Sequence, residues 1–570
     1  MTNRLASFSQ KMVPFFSQVP CFRDVTFLSL LTILLVFQPH YLHGELDIFE
    51  WGIYLPGIQA LFDGQVPYRD FFLLRGPLEL YIPASLMTIF GKNINILSTY
   101  FYAGTVITLI ICVLLAKEIF RTRFFLYLFV PILVTKSFPR VVFHIWGGMR
   151  YGWGLLAILF FLYFLKKRRP LWMILAGGSA ALATLTSIEI GFCAAMSIVF
   201  CPIIFFLLKK QTFAESLTAI QSFAIGFCIP LLPWVFYAST HHCLLPYMET
   251  TLTVVTQMPQ VFPDYLLDNH PQGWRQWLSS LIPAAPDFKY FSPAWAYIFT
   301  FFYLALRYKK NGLTDNHLFV FPLWLYGLAL FLSSLRKIGA AQFEMSLQPE
   351  KLLLFFLLEE IYLRLSMGAR LPRTFKNYAV LVFTLVLIIT TMTSTIRKIT
   401  KRSYPFRCLS HWLNNKNPDE AIPFPFSVPN DQARTLKLPR IYGRIVPDWQ
   451  AKELNELNAF VEKHTTDKEA VVLFPELGTY SFIFNRPQIG RFGNASFSWL
   501  SEKWFQELMQ DLKTRRPRYA ILAKEPTPTL NAYLKLERNQ KKFKEMKGYI
   551  LKNYHSILST QNCAVFEKNG

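Results

Sequence analysis

The chain of 570 residues is 52% hydrophobic and only 17% charged, and its mean hydropathy is +0.28. Soluble proteins usually carry about 25% charged residues, so the composition excludes an ordinary soluble protein. The sequence also has neither the low-complexity segments of disordered chains nor the heptad repeats of coiled coils, so these two classes are excluded. The formal net charge is +23. In a soluble protein this excess would indicate nucleic-acid binding, whereas in a membrane protein basic residues mark cytoplasmic loops.

Apolar runs long enough to cross a membrane dominate residues 1–396. They predict about eleven transmembrane helices, at 25–42, 97–116, 124–137, 149–165, 171–188, 190–208, 216–237, 293–306, 317–334, 350–363 and 377–395. No cleavage site follows the first run, so it is predicted to stay as an anchor. We therefore predict a polytopic α-helical membrane protein whose transmembrane domain ends at residue 396.

Basic residues are divided unevenly between the two sides of the predicted membrane domain. One set of alternate segments holds 19 Lys and Arg residues, mostly in short loops, and the opposite set holds 11. The positive-inside rule then places the N-terminus in the cytoplasm. An odd number of spans places the chain after residue 396 outside, which is the periplasmic side of an inner membrane.

The segment between the first two spans, residues 43–96, is the most informative outer loop. Its pattern predicts an amphipathic helix on the membrane surface that includes Ile53, Ile58 and Phe62 and ends at Asp63-Gly64. A turn at Pro67 follows. A second apolar helix is predicted from Leu78 to Phe90, ending at Gly91.

Acidic residues concentrate at the rim of this loop. Asp47 and Glu50 are three residues apart, so they share a face if the segment is helical. Carboxylates beside amphipathic helices at a membrane rim suit general-base catalysis on a substrate that is part lipid and part sugar. A solvated loop with no catalytic role is the alternative interpretation.

The order of motifs in this loop resembles a known family. Asp47 and Glu50 are followed by ALFDGQVPYRDFF, then GPLELY, then a short helix ending in FG. This arrangement is similar to the first exoplasmic loop of the GT-C superfamily of integral-membrane glycosyltransferases, which includes protein O-mannosyltransferase and aminoarabinose-transferase relatives. More weakly, the resemblance extends over the whole chain, with many spans followed by an outer α/β domain.

The resemblance implies an inverting glycosyltransferase whose donor is a polyprenyl-phosphate-linked sugar. The acceptor would be a lipid, a glycan or a protein, and an acid after the first helix would be the base. This sequence lacks the adjacent acid pair of the family, so Asp47 is the first candidate and Glu50 its rival. Tyr68 and Asp70, in the motif PYRDFF, are predicted to contact the substrate. No structural zinc is predicted, and a divalent cofactor remains open.

A departing phosphate needs positive charge in a water-poor site. Outer-side candidates are Arg75 in the first loop, Arg150 after the motif GG, and the pair Arg336 and Lys337. GT-C enzymes use basic residues of late outer loops for this purpose, so the resemblance favours the pair. The alternative is that these side chains only reach from helix ends to the interface. Glu189 either marks a tight outer turn or contacts a substrate sugar.

Residues 397–430 are rich in Pro and Asn and are predicted to be a linker, followed by an exoplasmic α/β domain at 431–570. Helices are predicted at 452–465, 497–514 and 541–553, strands at 469–475 and 516–525, and an edge strand at 563–569.

The C-terminal part is strongly basic. From Arg397 onward, it has 29 basic and 17 acidic residues. The excess either attracts anionic lipid or an acidic acceptor, or only keeps the surface soluble. Cys408 and Cys563 are candidates for a disulfide.

Two other function classes fit a polytopic chain. A transporter or flippase of lipid-linked glycans would be expected to show internal repeats and mid-span charges, which this sequence lacks. A membrane-anchored assembly scaffold would leave the acidic first loop unexplained. Nucleic acid is not an expected partner, because the basic excess is accounted for by topology and by the outer domain.

Overall fold

The computed structural model describes residues 17–37, 42, 44, 46–137, 147–261, 274–282, 285, 291–311, 314–335, 340–367, 373–414, 433–493 and 496–570. Its membrane part is helical. The helices before the C-terminal domain are α1 (Phe22–Val36), α2 (Ile48–Trp51), α3 (Leu55–Phe62), α4 (Leu78–Phe90), α5 (Ile94–Ile119), α6 (Arg123–Ser137), α7 (Arg150–Lys167), α8 (Pro170–Thr186), α9 (Ile188–Leu207), α10 (Phe213–Thr240), α11 (Leu244–Val261), α12 (Trp274–Ser280), α13 (Pro293–Asn311), α14 (Asp315–Ser334), α15 (Ala340–Met367), α16 (Arg373–Arg402) and α17 (Tyr404–Asn414).

Each of the eleven predicted spans overlaps one of these helices, although α1 ends at Val36, before the predicted end of the first span. By length and hydropathy alone, four of the described helices are sufficient to cross a membrane, namely Ile94–Ile119, Ile188–Leu207, Phe213–Thr240 and His317–Ser334. Others are shorter apolar helices, such as Pro170–Thr186. The polytopic helical fold expected from the apolar runs is therefore confirmed.

Helices α8 and α10 pack at very short distance because glycines face each other's backbone. A Cβ atom on Gly226 would lie 1.9 Å from the carbonyl oxygen of Ile174, and one on Gly177 would lie 2.2 Å from that of Phe223. Small residues allow this approach in membrane helices. On α10, Ile225, Ile229, Leu232 and Phe236 remain more than half exposed, as expected of a surface that faces lipid.

Charged residues of several predicted inner loops meet at one end of the bundle. Glu360 pairs with Arg121 at 3.0 Å and with Arg307 at 3.6 Å, which joins α15 to the α5–α6 connection and to the end of α13. Arg123 pairs with Asp24 at 2.8 Å. These loops therefore lie on the same side of the bundle, as the charge pattern predicted. That this side is the cytoplasmic one remains a prediction.

The C-terminal segment contains a small α/β layer. Its described elements are β1 (Ala433–Thr435), β2 (Ile445–Pro447), α18 (Asp448–His464), β3 (Val472–Phe474), α19 (Thr479–Ile483), α20 (Glu502–Arg515), β4 (Tyr519–Ala523), α21 (Pro528–Tyr533), α22 (Glu537–Asn553), β5 (Tyr554–Ser559) and β6 (Cys563–Lys568). Strands β1 and β2 form an antiparallel pair in which Arg434 faces Val446. The larger sheet has the order β3-β4-β6-β5.

The sheet corrects one expectation about strand position. Strand β3 runs parallel to β4, with Leu473 opposite Ile521, whereas β6 runs antiparallel to both β4 and β5. The segment predicted as an edge strand, β6, therefore lies inside the sheet. The edge strands are β3 and β5; β5 continues directly from α22 and is joined to β6 by a short turn.

The candidate disulfide is absent. Cys408 and Cys563 are both free cysteines. Cys563 is buried in β6, where its thiol lies 3.7 Å from a carboxylate oxygen of Glu453. A bond to Cys408, on α17, is therefore not part of this fold.

The first outer loop ends its helices where the sequence predicted, but its surroundings differ. Asp63 caps the C-terminus of α3 and is followed by Gly64 at φ +77°, and Gly91 caps the C-terminus of α4 at φ +102°. Helix α3 does not present a face to the membrane surface, however. Leu55 and Ile58 have no exposed area, because the helix packs against α4 and against α19 of the C-terminal domain.

Candidate active site

The two candidate acids lie at the start of the one-turn helix α2. Asp47 is its N-terminal cap, and its Oδ1 accepts a 2.7 Å hydrogen bond from the backbone N–H of Glu50. An acidic cap residue satisfies an amide that the helix itself leaves unpaired. Both residues are half-buried. The three-residue spacing thus brings the two carboxylates together, as the sequence predicted for a helical segment.

The environment of Glu50 opposes its ionisation. Burial raises the pKa of Glu50 to about 8, and the charges of Asp47 and Glu476 act in the same direction, while Arg75 acts against them. A carboxyl with this pKa carries its proton at neutral pH. The two acids therefore have different surroundings: Asp47 accepts a backbone N–H, while Glu50 sits where the neutral acid is favoured.

Arg75 lies within the loop rather than at its surface. Its Nη1 donates to the hydroxyl of Tyr54 at 2.5 Å and lies 3.3 Å from Oε2 of Glu79, whose side chain is only 1% exposed. Burial alone would lower the pKa of Arg75, but Tyr54 and the carboxylates of Glu79 and Glu50 raise it. The guanidinium is therefore a fixed positive charge close to the candidate acids.

A glycine lets this part of the loop approach the membrane helices. A Cβ atom on Gly76 would lie 2.1 Å from the carbonyl oxygen of Leu185, and the Gly76 N–H donates to the carbonyl of Thr186 at 3.1 Å. Residues 185–187 form the junction of α8 and α9. Arg75, the residue before the glycine, is thereby held at the end of these two helices.

Arg150 is also buried. It is the first residue of α7, is 8% exposed, and has its guanidinium 5.7 Å from the centre of the Tyr151 ring. Its charge acts on the hydroxyl of Tyr54, the residue that Arg75 contacts. Arg150 therefore faces the same polar interior as Arg75 and does not extend to water from its helix end.

Tyr68 and Asp70 hold the turn between α3 and α4. The hydroxyl of Tyr68 donates to the carbonyl of Arg75 at 2.5 Å, and its buried ring packs edge-on to Tyr247 at 5.0 Å. Asp70 accepts the N–H of Val66 and two bonds from Arg69, each at 2.8 Å. These contacts orient the segment that carries Arg75. A direct contact of Tyr68 or Asp70 with substrate stays a prediction.

Glu189 lies in the first turn of α9, immediately after the tight junction with α8. Its Oε1 accepts the hydroxyl of Ser333, near the end of α14. The turn expected of this acid is therefore present, and the side chain also reaches a second helix. Arg336 and Lys337 follow α14 by two residues but lie outside the described residues.

The structure adds residues that sequence reasoning did not select. Arg444 is 1% exposed, and its guanidinium donates to the carbonyl of Gly44 and to the hydroxyl of Ser98. It also lies 4.6 Å from the centre of the Trp51 ring. Burial lowers the pKa of Arg444 to about 9. A residue of the C-terminal domain thus anchors both ends of the segment that carries the candidate acids.

Glu476 is the second addition, and it comes from the loop between β3 and α19. Its Oε1 accepts the hydroxyls of Ser496 and Ser498, the latter at 3.1 Å, while its Oε2 is buried without a hydrogen-bond partner. Burial raises its pKa to about 7. Glu476 lies far from the first loop in the sequence, so spacing gave no sign that this acid meets the loop.

Aromatic and backbone contacts complete the attachment of the C-terminal domain to the loop. Phe49 packs against Trp499 at 6.2 Å, and Phe72 packs against Trp504 at 5.3 Å. The N–H of Phe72 donates to the carbonyl of Arg491 at 2.8 Å. The first loop and the C-terminal domain therefore lie at the same end of the bundle. Within the part of the chain that the structure describes, no three His, Cys, Asp or Glu side chains gather as metal ligands would.

Comparison with known proteins bears on the fold. No protein-family model and no curated protein matches the sequence. Two crystal structures of ArnT from Cupriavidus metallidurans do match the structure, each with a TM-score of 0.51 over 95% of this chain. One is bound to undecaprenyl phosphate, with 10% identity and 97% of its chain covered, and the other is the apo state, with 11% identity and 96% covered.

The chain has the ArnT fold. ArnT is a GT-C glycosyltransferase, so the fold implied by the first-loop motifs is confirmed, including the many helices and the small C-terminal sheet region. The match to ArnT extends through both parts of the chain, since nearly the full length of each protein is covered. At this level of identity the likeness concerns architecture, and the chemistry has to be argued from the site.

Proposed function

We propose that this protein is a membrane glycosyltransferase that transfers a sugar from a polyprenyl-phosphate-linked donor to a lipid, glycan or protein acceptor. The observation that carries the proposal is the meeting of Asp47 and Glu50 with the buried cation Arg75 in the first loop, on an ArnT-like fold. The undecaprenyl phosphate bound to one ArnT structure supports the choice of donor class.

Asp47 is the proposed base. It would accept the proton of the acceptor hydroxyl or amine as the acceptor atom bonds to the anomeric carbon from the face opposite the phosphate. The bond from the anomeric carbon to the phosphate oxygen breaks in the same step, and its electron pair leaves with the polyprenyl phosphate. A single in-line displacement of this kind inverts the anomeric centre.

The state of the two acids supports this assignment. A base has to be ionised before the reaction, and the backbone N–H that donates to Asp47 fixes the position of this carboxyl group. Glu50, with a pKa of about 8, keeps its proton at neutral pH and is better suited to orienting the acceptor. Asp47 is therefore preferred over Glu50, in agreement with the order that the sequence predicted.

The departing phosphate would be held by arginines. Arg75 supplies positive charge beside Glu50, and the buried Arg150 supplies positive charge beside Tyr54, which Arg75 contacts. A low dielectric strengthens electrostatic stabilisation of a phosphate at such a site. Arg336 and Lys337 are proposed to complete the phosphate site from the segment after α14. The contact between Glu189 and Ser333 brings the start of α9 to the end of α14 and so supports a role for Glu189 near that segment.

The site would face the outer side of the cell membrane. Many helices and the ArnT fold support a membrane location. The first loop and the C-terminal domain occupy one end of the bundle, and the basic loop residues predicted to be cytoplasmic gather in a separate group of ion pairs. We therefore propose that the site and the C-terminal domain lie outside and the N-terminus inside.

The test is a transfer assay with purified full-length protein and undecaprenyl-phosphate-linked sugars of defined structure, read by release of undecaprenyl phosphate. We expect one donor class to be consumed, and Asp47→Asn to abolish consumption. Glu525→Gln is the matched control, because Glu525 is an exposed acid of the C-terminal domain. Full activity of the Asp47→Asn/Glu50→Gln double variant would refute the assignment of the base.

A further inference from the structure

The acid Glu476 has a conformation and an environment that the fold alone does not require. Its φ is +55°, in the left-handed region that is costly for a residue with a Cβ atom. Such strain persists only when the surroundings hold the residue in place, and it concentrates at functional sites. Two hydroxyls, from Ser496 and Ser498, hold one carboxylate oxygen, while the other is sealed from water.

The geometry places this acid next to the candidate acids of the first loop. Thr479, three residues after Glu476, donates its hydroxyl to the carbonyl of Ile48 at 2.6 Å. Phe49 packs against Trp499, which directly follows Ser498. The segment 48–50 is therefore bound on both sides by the segments that hold Glu476, and the charge of Glu476 acts on Glu50.

We propose that Glu476 is a positioning residue for the transfer reaction, and that it and Glu50 together hold one proton between the first loop and the C-terminal domain. Two carboxylates in a poorly solvated site do not both ionise, so the pair carries a single negative charge. This lowers the repulsion that a phosphate donor would meet beside Asp47. It also makes the protonation of Glu50 depend on whether the C-terminal domain is docked.

Among the described residues, few titratable or charged groups face the pair. Asp47 and Arg75 face Glu50 from the first loop, and Glu476 faces it from the C-terminal domain. Ser496 and Ser498 face Glu476. Removal of the charge at Glu476 therefore leaves Asp47 and Arg75 to act on Glu50 in opposite directions, and Glu50 is expected to ionise at lower pH than in the native protein.

The role of Glu476 in transfer rests on the proposed function, but the sharing of a proton with Glu50 can be tested without a substrate. The carbonyl stretch of protonated carboxyl groups is followed by infrared spectroscopy over a pH titration of the full-length protein in lipid nanodiscs. Glu476→Gln is the informative variant, because its amide oxygen still accepts the two serine hydroxyls and only the titratable oxygen is lost. Glu525→Gln is the control.

We expect Glu476→Gln to move the titration of Glu50 to lower pH by about one unit or more, the threshold at which two sites count as coupled. The control should leave it in place. An unchanged Glu50 titration in Glu476→Gln would overturn the proposal. If that variant does not fold, Glu476→Asp decides, since its shorter side chain draws the charge away from Glu50 and should move the Glu50 titration in the same direction by a smaller amount.

Transfer kinetics separate the two proposals. If undecaprenyl-phosphate-linked sugars are consumed, Glu476→Gln should move the acid or base limb of the pH profile and Glu476→Asp should restore part of it. A purely structural role would give a lower amount of folded protein and an unchanged profile. If the two carboxyl groups titrate together but no sugar is transferred, the proposal of a coupled pair stands and the proposed function is refuted.

Discussion

The hydroxyl of Thr479 donates a 2.6 Å hydrogen bond to the carbonyl oxygen of Ile48, and this bond ties the C-terminal domain to the one-turn helix that carries the candidate acids. The two residues are 431 positions apart. Because α2 has only four residues, it has little stability of its own. Its position, and with it the placement of Asp47 and Glu50, depends on contacts from outside the first loop.

Replacing Thr479 by Val should therefore reduce activity more than stability. The change keeps the shape of the side chain but leaves the Ile48 carbonyl without its donor, which costs about 1–2 kcal/mol of unfolding free energy. We expect a several-fold lower rate of donor consumption and a small decrease in Tm. Thr514→Val, at an exposed position of α20, is the control. Equal rates in the two variants would show that the bond does not position α2.

The pair Arg75 and Glu79 separates stability from phosphate binding. Arg75→Met leaves the buried carboxylate of Glu79 without its cation, which typically costs about 3–5 kcal/mol. The double variant Arg75→Met/Glu79→Met replaces the pair by apolar side chains and should regain most of that loss. If Arg75 holds the donor phosphate, the double variant folds but does not consume donor. Recovery of transfer together with stability would assign Arg75 a structural role only.

The pH dependence of stability follows from Glu50. Its pKa is about 8 in the folded protein, against an ordinary value of 4.5, so the folded state binds more protons between these values and loses stability as pH rises through that range. Glu50→Gln removes this loss. Relative to the native protein, the variant should gain about 1 kcal/mol or more between pH 5 and pH 9, measured by thermal unfolding. If the difference in unfolding free energy between the variant and the native protein stayed the same from pH 5 to pH 9, the raised pKa of Glu50 would be contradicted.

Packing of the membrane helices is tested at Gly226. A side chain there meets the backbone of Ile174, which cannot move without separating α8 from α10. Gly226→Val should therefore prevent recovery of folded protein from detergent extracts. Gly548→Ala is the matched control, because a Cβ atom on Gly548 meets nothing within 4 Å and α22 gains about 0.5–1 kcal/mol from the better helix former. Normal yield of Gly226→Val would mean that the two helices pack less closely.

Much of the fold could be read from the residues themselves. Apolar runs specify membrane helices because no other arrangement satisfies the backbone in lipid. The ends of α3 and α4 were predictable since Gly64 and Gly91 adopt positive φ at little cost. The three-residue spacing of Asp47 and Glu50 predicted their proximity, because residues three apart lie side by side in a helical turn. The first-loop motifs predicted the architecture that the ArnT comparison confirms.

Sequence could not show what covers an apolar surface or which distant groups meet. The apolar face of α3 has the same pattern whether membrane or protein lies against it, and only the tertiary structure showed that α19 does. Arg444 bonds to the carbonyl of Gly44 across 400 positions, and Glu476 faces Glu50 across a similar distance. By itself the sequence determined the helices, the turns and the acids, because those depend on neighbouring residues. Only the tertiary structure determined the environment that raises the pKa of Glu50 and the docking of the C-terminal domain, because burial and neighbouring charges arise when segments distant in the sequence meet.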